Sequence, residues 1–314
     1  MKQNRSPSTY KQNKMVAEKY LIPCFGEYRI QELKPNIIQK HYNQWRQCSL
    51  YSDKPLKADT VRMIHRCFRT AMSVAVELEL IKNNPLCKVR LPKSEKQDKD
   101  FFNQEEITEI LEAAKGTEDY LFLMVCFSTG GRRGEITAMK WKNVDWSNKT
   151  IRIEKSFVEG EKEVVYKDPK SATSIRTIPL PDNVMKELKL GYMHYKEKKI
   201  AFGKDFHDDG FIFCKENGEP YRPSTTAQRY SRFLKRNGFR HIKFHNTRVS
   251  LASILAFNGV SPKTIQYILG HSSLEMTLNV YAQRVSSEMQ MVSSVMDDKV
   301  FSNIGKGEGL SRVG

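Results

Sequence analysis

Four short stretches of this sequence are polar where the pattern around them is apolar. "STGGRRGE" places Arg132, Arg133 and Glu135 directly after an apolar run. "DPKSATSIRTIPL" carries Lys170 at the tip of an expected hairpin. "KFHNTRVSLASILAFNG" sets His245 and Arg248 three residues apart at the head of an apolar helix, a spacing that puts both on one face. "YILGHSSLEMTLNVYAQ" holds His271 on a glycine turn and Tyr281 ten residues later. Arginines hold oxyanions bidentately at any working pH, and histidine exchanges protons near neutrality. A tyrosine hydroxyl ionises only near pH ~10, so a reacting Tyr281 needs help from elsewhere in the chain. Taken singly, each stretch has a simpler reading: solvated arginines at a helix end, an exposed lysine, a capping pair, a packing tyrosine.

The elements that must position these groups are mostly helical. In "FFNQEEITEILEAAKG", Asn103 is an N-cap, Glu106 completes a capping box and Gly116 stops the helix. "YLFLMVCFSTGG" reads as a buried helix ending in glycines. Between residues 150 and 180 the pattern shortens to "TIRI", "KEVVYK" and "IRTIPL", a small sheet with a hairpin. "GFIFCKENGEPY" reads as one more strand, turned at Asn217-Gly218. In "VSPKTIQYILGH", Ser261 caps a helix, Pro262 takes its first position and Gly270 lies just past its end.

Ahead of this lies a basic helical segment, with helices expected over residues 8–21, 35–47 and 57–80. In the last of these, Val61, Ile64, Phe68, Ala71 and Ala75 form an apolar face, and Arg62, Arg66 and Arg69 a basic stripe. Asn84-Pro85 ends the segment, and "LPKSEKQDKD" reads as an exposed linker. Net charge is +16, and residues 1–100, with 20 basic and 10 acidic side chains, hold +10 of it. Such a field favours a polyanion, and nucleic acid fits better than membrane lipid because no amphipathic anchor is present. No run of about 18 apolar residues suggests a membrane span, and no secretory signal is read at the N-terminus. The six cysteines are scattered singly, as reduced thiols of a cytoplasmic protein rather than a disulfide frame or metal site.

In this order, the four stretches resemble the boxes of the tyrosine recombinase (phage integrase) family. "STGGRRGE" looks like its T-G-x-R-x-x-E box and "DPKSATSIRTIPL" its lysine hairpin. "HNTR" fits H-x-x-R, "LGHSS" fits L-G-H-S and "TLNVY" fits the tyrosine segment. The basic unit ending in "NPLCKVRLPK" is similar to the family's core-binding domain. Gly131, Asn246, Thr247 and Val249 depart from the commoner residues, and Gly131 is expected to loosen packing beside Arg132. The resemblance implies a mainly α protein with a small antiparallel sheet (α+β). Its parts are a helical core-binding domain over residues 1–92, a linker over 93–101, a catalytic domain over 102–285 and a tail over 286–314.

It further implies site-specific DNA recombination without metal, ATP or other cofactor. Tyr281 attacks a phosphodiester to give a 3′-phosphotyrosine, Arg132, Arg248 and His271 stabilise the phosphate, His245 is the base and Lys170 protonates the leaving oxygen. Glu135 holds a neighbouring side chain in register. Partners implied are double-stranded DNA, tracked in part by Arg62, Arg66 and Arg69, further copies of the chain forming a tetramer, and an accessory excision or DNA-bending factor. The tail, with Met289, Met291, Val292, Val295 and Met296, suits docking on a neighbouring subunit or on its own domain. An integrase of a phage or conjugative transposon fits this composition better than a Xer-like dimer resolvase. A type IB topoisomerase relative and a DNA-binding protein without catalysis are the remaining readings.

Overall fold

The computed structural model describes residues 6–94, 100–160, 164–167, 174–275, 277 and 278. These divide into two compact units, one built from residues up to Asp98 and one from Lys99 onward, apart from Gly160–Glu163. The architecture is mostly helical with a small antiparallel sheet, as the sequence pattern predicts. Among the described residues no helix is long and apolar enough to cross a membrane.

The first unit packs α1 (Pro7–Val16), α2 (Ile22–Phe25), α3 (Pro35–Trp45) and α4 (Ala58–Glu77). The expected helix over 8–21 is interrupted by a wide π turn, Ala17–Leu21. Pro23 accounts for it: a proline has no N–H for the carbonyl four residues back. That carbonyl, of Lys19, instead accepts from the Tyr51 hydroxyl at 2.6 Å. The core joins Phe25, Ile38, Trp45, Val61, Ile64 and Phe68. On α4 the buried stripe runs through Met72, whereas Ala71, expected inside, is exposed. At 100° per residue, position 72 returns to within about 20° of Val61 and position 71 misses it by about 80°. Arg62, Arg66 and Arg69 do share one face, lining a shallow cleft with Ser73 and Leu91.

In the second unit, α5 (Gln104–Ala114) begins with the expected reciprocal cap between Asn103 and Glu106. The central helix α6 (Asp119–Thr129) is apolar all round, since it packs against α5, α8 (Asp182–Phe202) and α10 (Thr247–Phe257). It ends on Gly130, left-handed at φ +54°, and α7 (Arg133–Thr137) follows at once. Strands β1 (Val144–Asp145), β2 (Thr150–Ile153) and β5 (Arg176–Pro179) form one antiparallel sheet in the order β1-β2-β5. Strands β3 (Ser156–Glu159) and β4 (Val164–Lys167) form a separate antiparallel pair. The core-facing side of the sheet carries Ile151, Ile153, Ile178 and, at the end of the same alternation, Arg176. The last described helices are α9 (Pro223–Arg236), α10 and α11 (Pro262–Leu269).

Two local expectations change. Residues 211–214 form isolated bridges rather than a strand: Phe211 pairs with Lys140 and Cys214 with Pro220. Their backbone bonds are split between residues 139–141 and 221, so no continuous ladder forms, although the Asn217-Gly218 turn is present. Gly131 does not loosen its surroundings, because Ile136 fills the space. A β-carbon at 131 would stand 2.5 Å from the Ile136 Cδ1 atom.

Candidate active site

Helix α11 has the predicted ends: the Ser261 hydroxyl accepts from the Thr264 N–H, and Gly270 is left-handed at φ +62°. The reversed turn lets the Gly270 and His271 N–H groups return to the carbonyls of Tyr267 and Gln266. Three carbonyls at this helix end remain, and each accepts from a different arginine. Arg176 Nε donates to Ile268 at 2.6 Å, Arg248 Nη2 to Leu269 at 2.7 Å and Arg132 Nη2 to Gly270 at 2.8 Å. Arg248 Nη1 also donates to Gly130, so this guanidinium joins the carbonyl ends of α6 and α11. Helix C-termini carry partial negative charge, which explains how three like charges gather at one point.

Among the described residues, the one carboxylate in this cluster is Glu135. Its Oε1 accepts from Arg132 Nη1 at 2.7 Å, and its Oε2 accepts from Arg176 Nη2 at 2.9 Å and from the Arg132 backbone N–H at 2.8 Å. Exposure sorts the members by task. The Arg132 side chain is 38% exposed and can meet a ligand, while Arg176 is 0% and Glu135 5% exposed. Arg248 is also buried, and its Nε has no hydrogen-bond partner among the described residues. Burial, the neighbouring Arg132 and Arg176 all push its pKa down, against the pull of Glu135.

Burial alone raises the Glu135 pKa, but the bond and charge of Arg176, then Arg132, outweigh it and hold the carboxyl at about 2 rather than 4.5. The folded value lies below the unfolded one, so this group contributes stability above about pH 4.5 and loses it as pH falls towards 2. The difference corresponds to about 3 kcal/mol. Glu135→Gln is therefore expected to destabilise the protein at pH 7. In urea titrations its deficit should shrink steadily between about pH 4.5 and 3. A deficit independent of pH would mean that the carboxylate charge is not what holds the cluster.

His271 follows Gly270 directly, and its Nδ1 lies 3.0 Å from the hydroxyl of the buried Thr277. His245 sits in the 3₁₀ turn before α10, exposed, whereas Arg248 enters the first turn of α10 and is buried. The expected shared face is thus divided, because the 3₁₀ turn precedes the helix proper. His245 lines an open cleft with Arg133, Tyr230, Ser231, His241 and Lys243. Lys170, Tyr281 and the tail 286–314 lie outside the described residues. Arg176, to which the sequence reading gave no role, proves to be the most deeply buried member of the site. Its signal was the strand alternation, which places residue 176 on the same side as Ile178.

Comparison with known proteins identifies the family. The Phage integrase family model matches residues 100–288, and a phage integrase N-terminal SAM-like domain matches residues 1–46. A tyrosine recombinase XerC-like protein of Caldanaerobacter subterraneus subsp. tengcongensis is 26% identical, over 95% of this chain and 80% of that protein. The ICEBs1 integrase of Bacillus subtilis is 26% identical, over 93% of this chain and 78% of that protein. The fold resembles that of the Tn1549 transposon integrase in complex with transposon right end DNA, with TM-score 0.75 and 21% identity over 93% and 95% of the two chains. With the family model spanning more than half its length, the chain belongs to the phage integrase family and is a tyrosine-type site-specific DNA recombinase.

Proposed function

We propose that this recombinase integrates and excises a mobile element, a phage or conjugative transposon, and that Tyr281 is its nucleophile. The observation that carries the reading is the meeting of Arg132, Arg248 and His271 at one helix end, from three separate segments of sequence. Attack on a phosphodiester builds charge on the non-bridging oxygens, and fixed guanidinium donors stabilise that charge as it develops. Arg132 offers exposed donors and Arg248 an unmet one. His245 takes the tyrosine proton, and Lys170 returns one to the departing 5′ oxygen. The phosphotyrosine ester keeps the bond energy, so a 5′ hydroxyl from another duplex can displace Tyr281 and complete strand exchange.

Residues 1–92 act as the core-binding domain and 102–285 as the catalytic domain, joined by the linker 93–101. The stripe of Arg62, Arg66 and Arg69 follows the DNA backbone. Exchange between two duplexes needs four cuts with one tyrosine per chain, hence a tetramer in the cytoplasm, with an accessory excision or DNA-bending factor setting direction. The integrase named among the relatives supports the mobile-element role, and the XerC-like relative supports dimer resolution as the second reading.

The test uses a nicked half-site from the element ends that flank the gene. The protein should form an adduct that survives denaturation, linked at the DNA 3′ phosphate, and should pass it to a 5′ hydroxyl on a second duplex. Retarded bands without any adduct would favour a non-catalytic DNA-binding protein, and religation confined to the original duplex a topoisomerase. Affinity should fall roughly a thousandfold between about 50 and 200 mM salt. A flat response would remove the phosphate-clamp reading.

A further inference from the structure

Arg176 is the buried charge that this mechanism leaves unused. Its side chain is fully enclosed at the first position of β5, where the strand alternation otherwise places aliphatic residues. A branched hydrocarbon there would avoid the cost of desolvating a guanidinium. What it could not do is hold three partners at fixed distances. Arg176 Nε donates to Ile268, Nη1 to Ser174 at 3.0 Å and Nη2 to Glu135 at 2.9 Å. Its planar head also packs against the turn glycine, since a β-carbon on Gly270 would come 2.9 Å from Nη1.

Glu135 is shared with the phosphate clamp, and Ile268 adjoins the carbonyls that hold it. The other oxygen of Glu135 holds Arg132, and the carbonyls that follow Ile268 hold Arg248 and Arg132. Ser174 lies four residues beyond Lys170 in the chain. We propose that Arg176 is a positioning residue. Without touching DNA, it fixes where Arg132 and Arg248 present their charge, by way of Glu135 and the carbonyl end of α11. The inference rests on the reading that these two arginines bind the reacting phosphate.

The experiment is a double-mutant cycle on single-turnover adduct formation with the nicked half-site. Arg176→Lys keeps the charge but replaces a rigid fork with a point donor that cannot span three partners. It should lower the adduct rate roughly a hundredfold with duplex affinity unchanged. Arg132→Lys breaks the clamp directly. If Arg176 acts through the clamp, the double variant should be within about threefold of Arg132→Lys alone. Independent roles would multiply the two losses, and a multiplied loss, or a double variant with no measurable rate, overturns the proposal. So does an Arg176→Lys protein as fast as the unmutated one. Thermal unfolding checks that each variant is folded. If Arg176→Lys is not, Arg176→Gln, which leaves Glu135 in place, takes its place in the cycle. An unmutated protein that forms no adduct at all counts against the recombination mechanism itself and is thereby told apart from a failed cycle.

Discussion

Tyr281→Phe is expected to bind duplex DNA as tightly as the unmutated protein and to form no covalent adduct with a nicked half-site. The substitution deletes one oxygen and leaves the ring, so packing and charge are preserved. What disappears is the oxygen proposed to form the ester. Loss of a placed nucleophile costs roughly 10⁴-fold or more. Rate and affinity are measured on the same substrate, which separates chemistry from binding. Persistence of the adduct would assign the nucleophile to another residue. Joint loss of adduct and binding would make Tyr281 part of the fold.

Arg248→Met is expected to lower the adduct rate roughly a thousandfold while the thermal midpoint stays within a few degrees of the unmutated protein or rises. Two stability effects oppose each other. The Gly130 and Leu269 carbonyls lose their donor, at about 1–3 kcal/mol each. Against this, a buried guanidinium pressed by Arg132 and Arg176 is removed. Its pKa is pushed down in the fold, so its charged form is disfavoured there relative to the unfolded chain at neutral pH. Replacing buried charges with apolar groups of similar volume is often neutral or stabilising. On the proposed mechanism, Arg248 is a residue whose burial works against folding and serves the reaction. A collapse of the thermal midpoint alongside the rate would show instead that Arg248 mainly holds α6 to α11.

Elements with their own local chemistry are legible in the sequence alone. The Asn103–Glu106 cap, the Ser261–Pro262 start and the left-handed Gly270 each depend on residues within a turn of one another. The apolar stripe of α4 was found but drawn one residue off at Ala71, because alanine is small enough to read as buried on either side. The strand at 211–214 failed for a tertiary reason: its backbone partners come from two separate loops. Gly131 shows the same limit, since the methyl group that fills its space belongs to Ile136. Within the site, the residue types of Arg132, Glu135, Arg248 and His271 were visible in the four polar stretches. The convergence of Ile268, Leu269 and Gly270 carbonyls was not, since a backbone acceptor has no letter in a sequence. Arg176 shares its stretch with Lys170 and carries no chemical signal of its own there, though its alternation with Ile178 marks it as buried.

The helix end that gathers three arginines also dictates when the site can exist. Its bonds to Arg132 and Arg176 link residues 138 and 92 positions apart in the chain. Contacts of such long range close late in folding, because the intervening loops must be ordered first. Residues 268–271 leave the ribosome after almost everything that binds them. An unfinished polypeptide that ends before residue 268 therefore lacks the assembled cluster, because the carbonyls that gather the three arginines are not yet made.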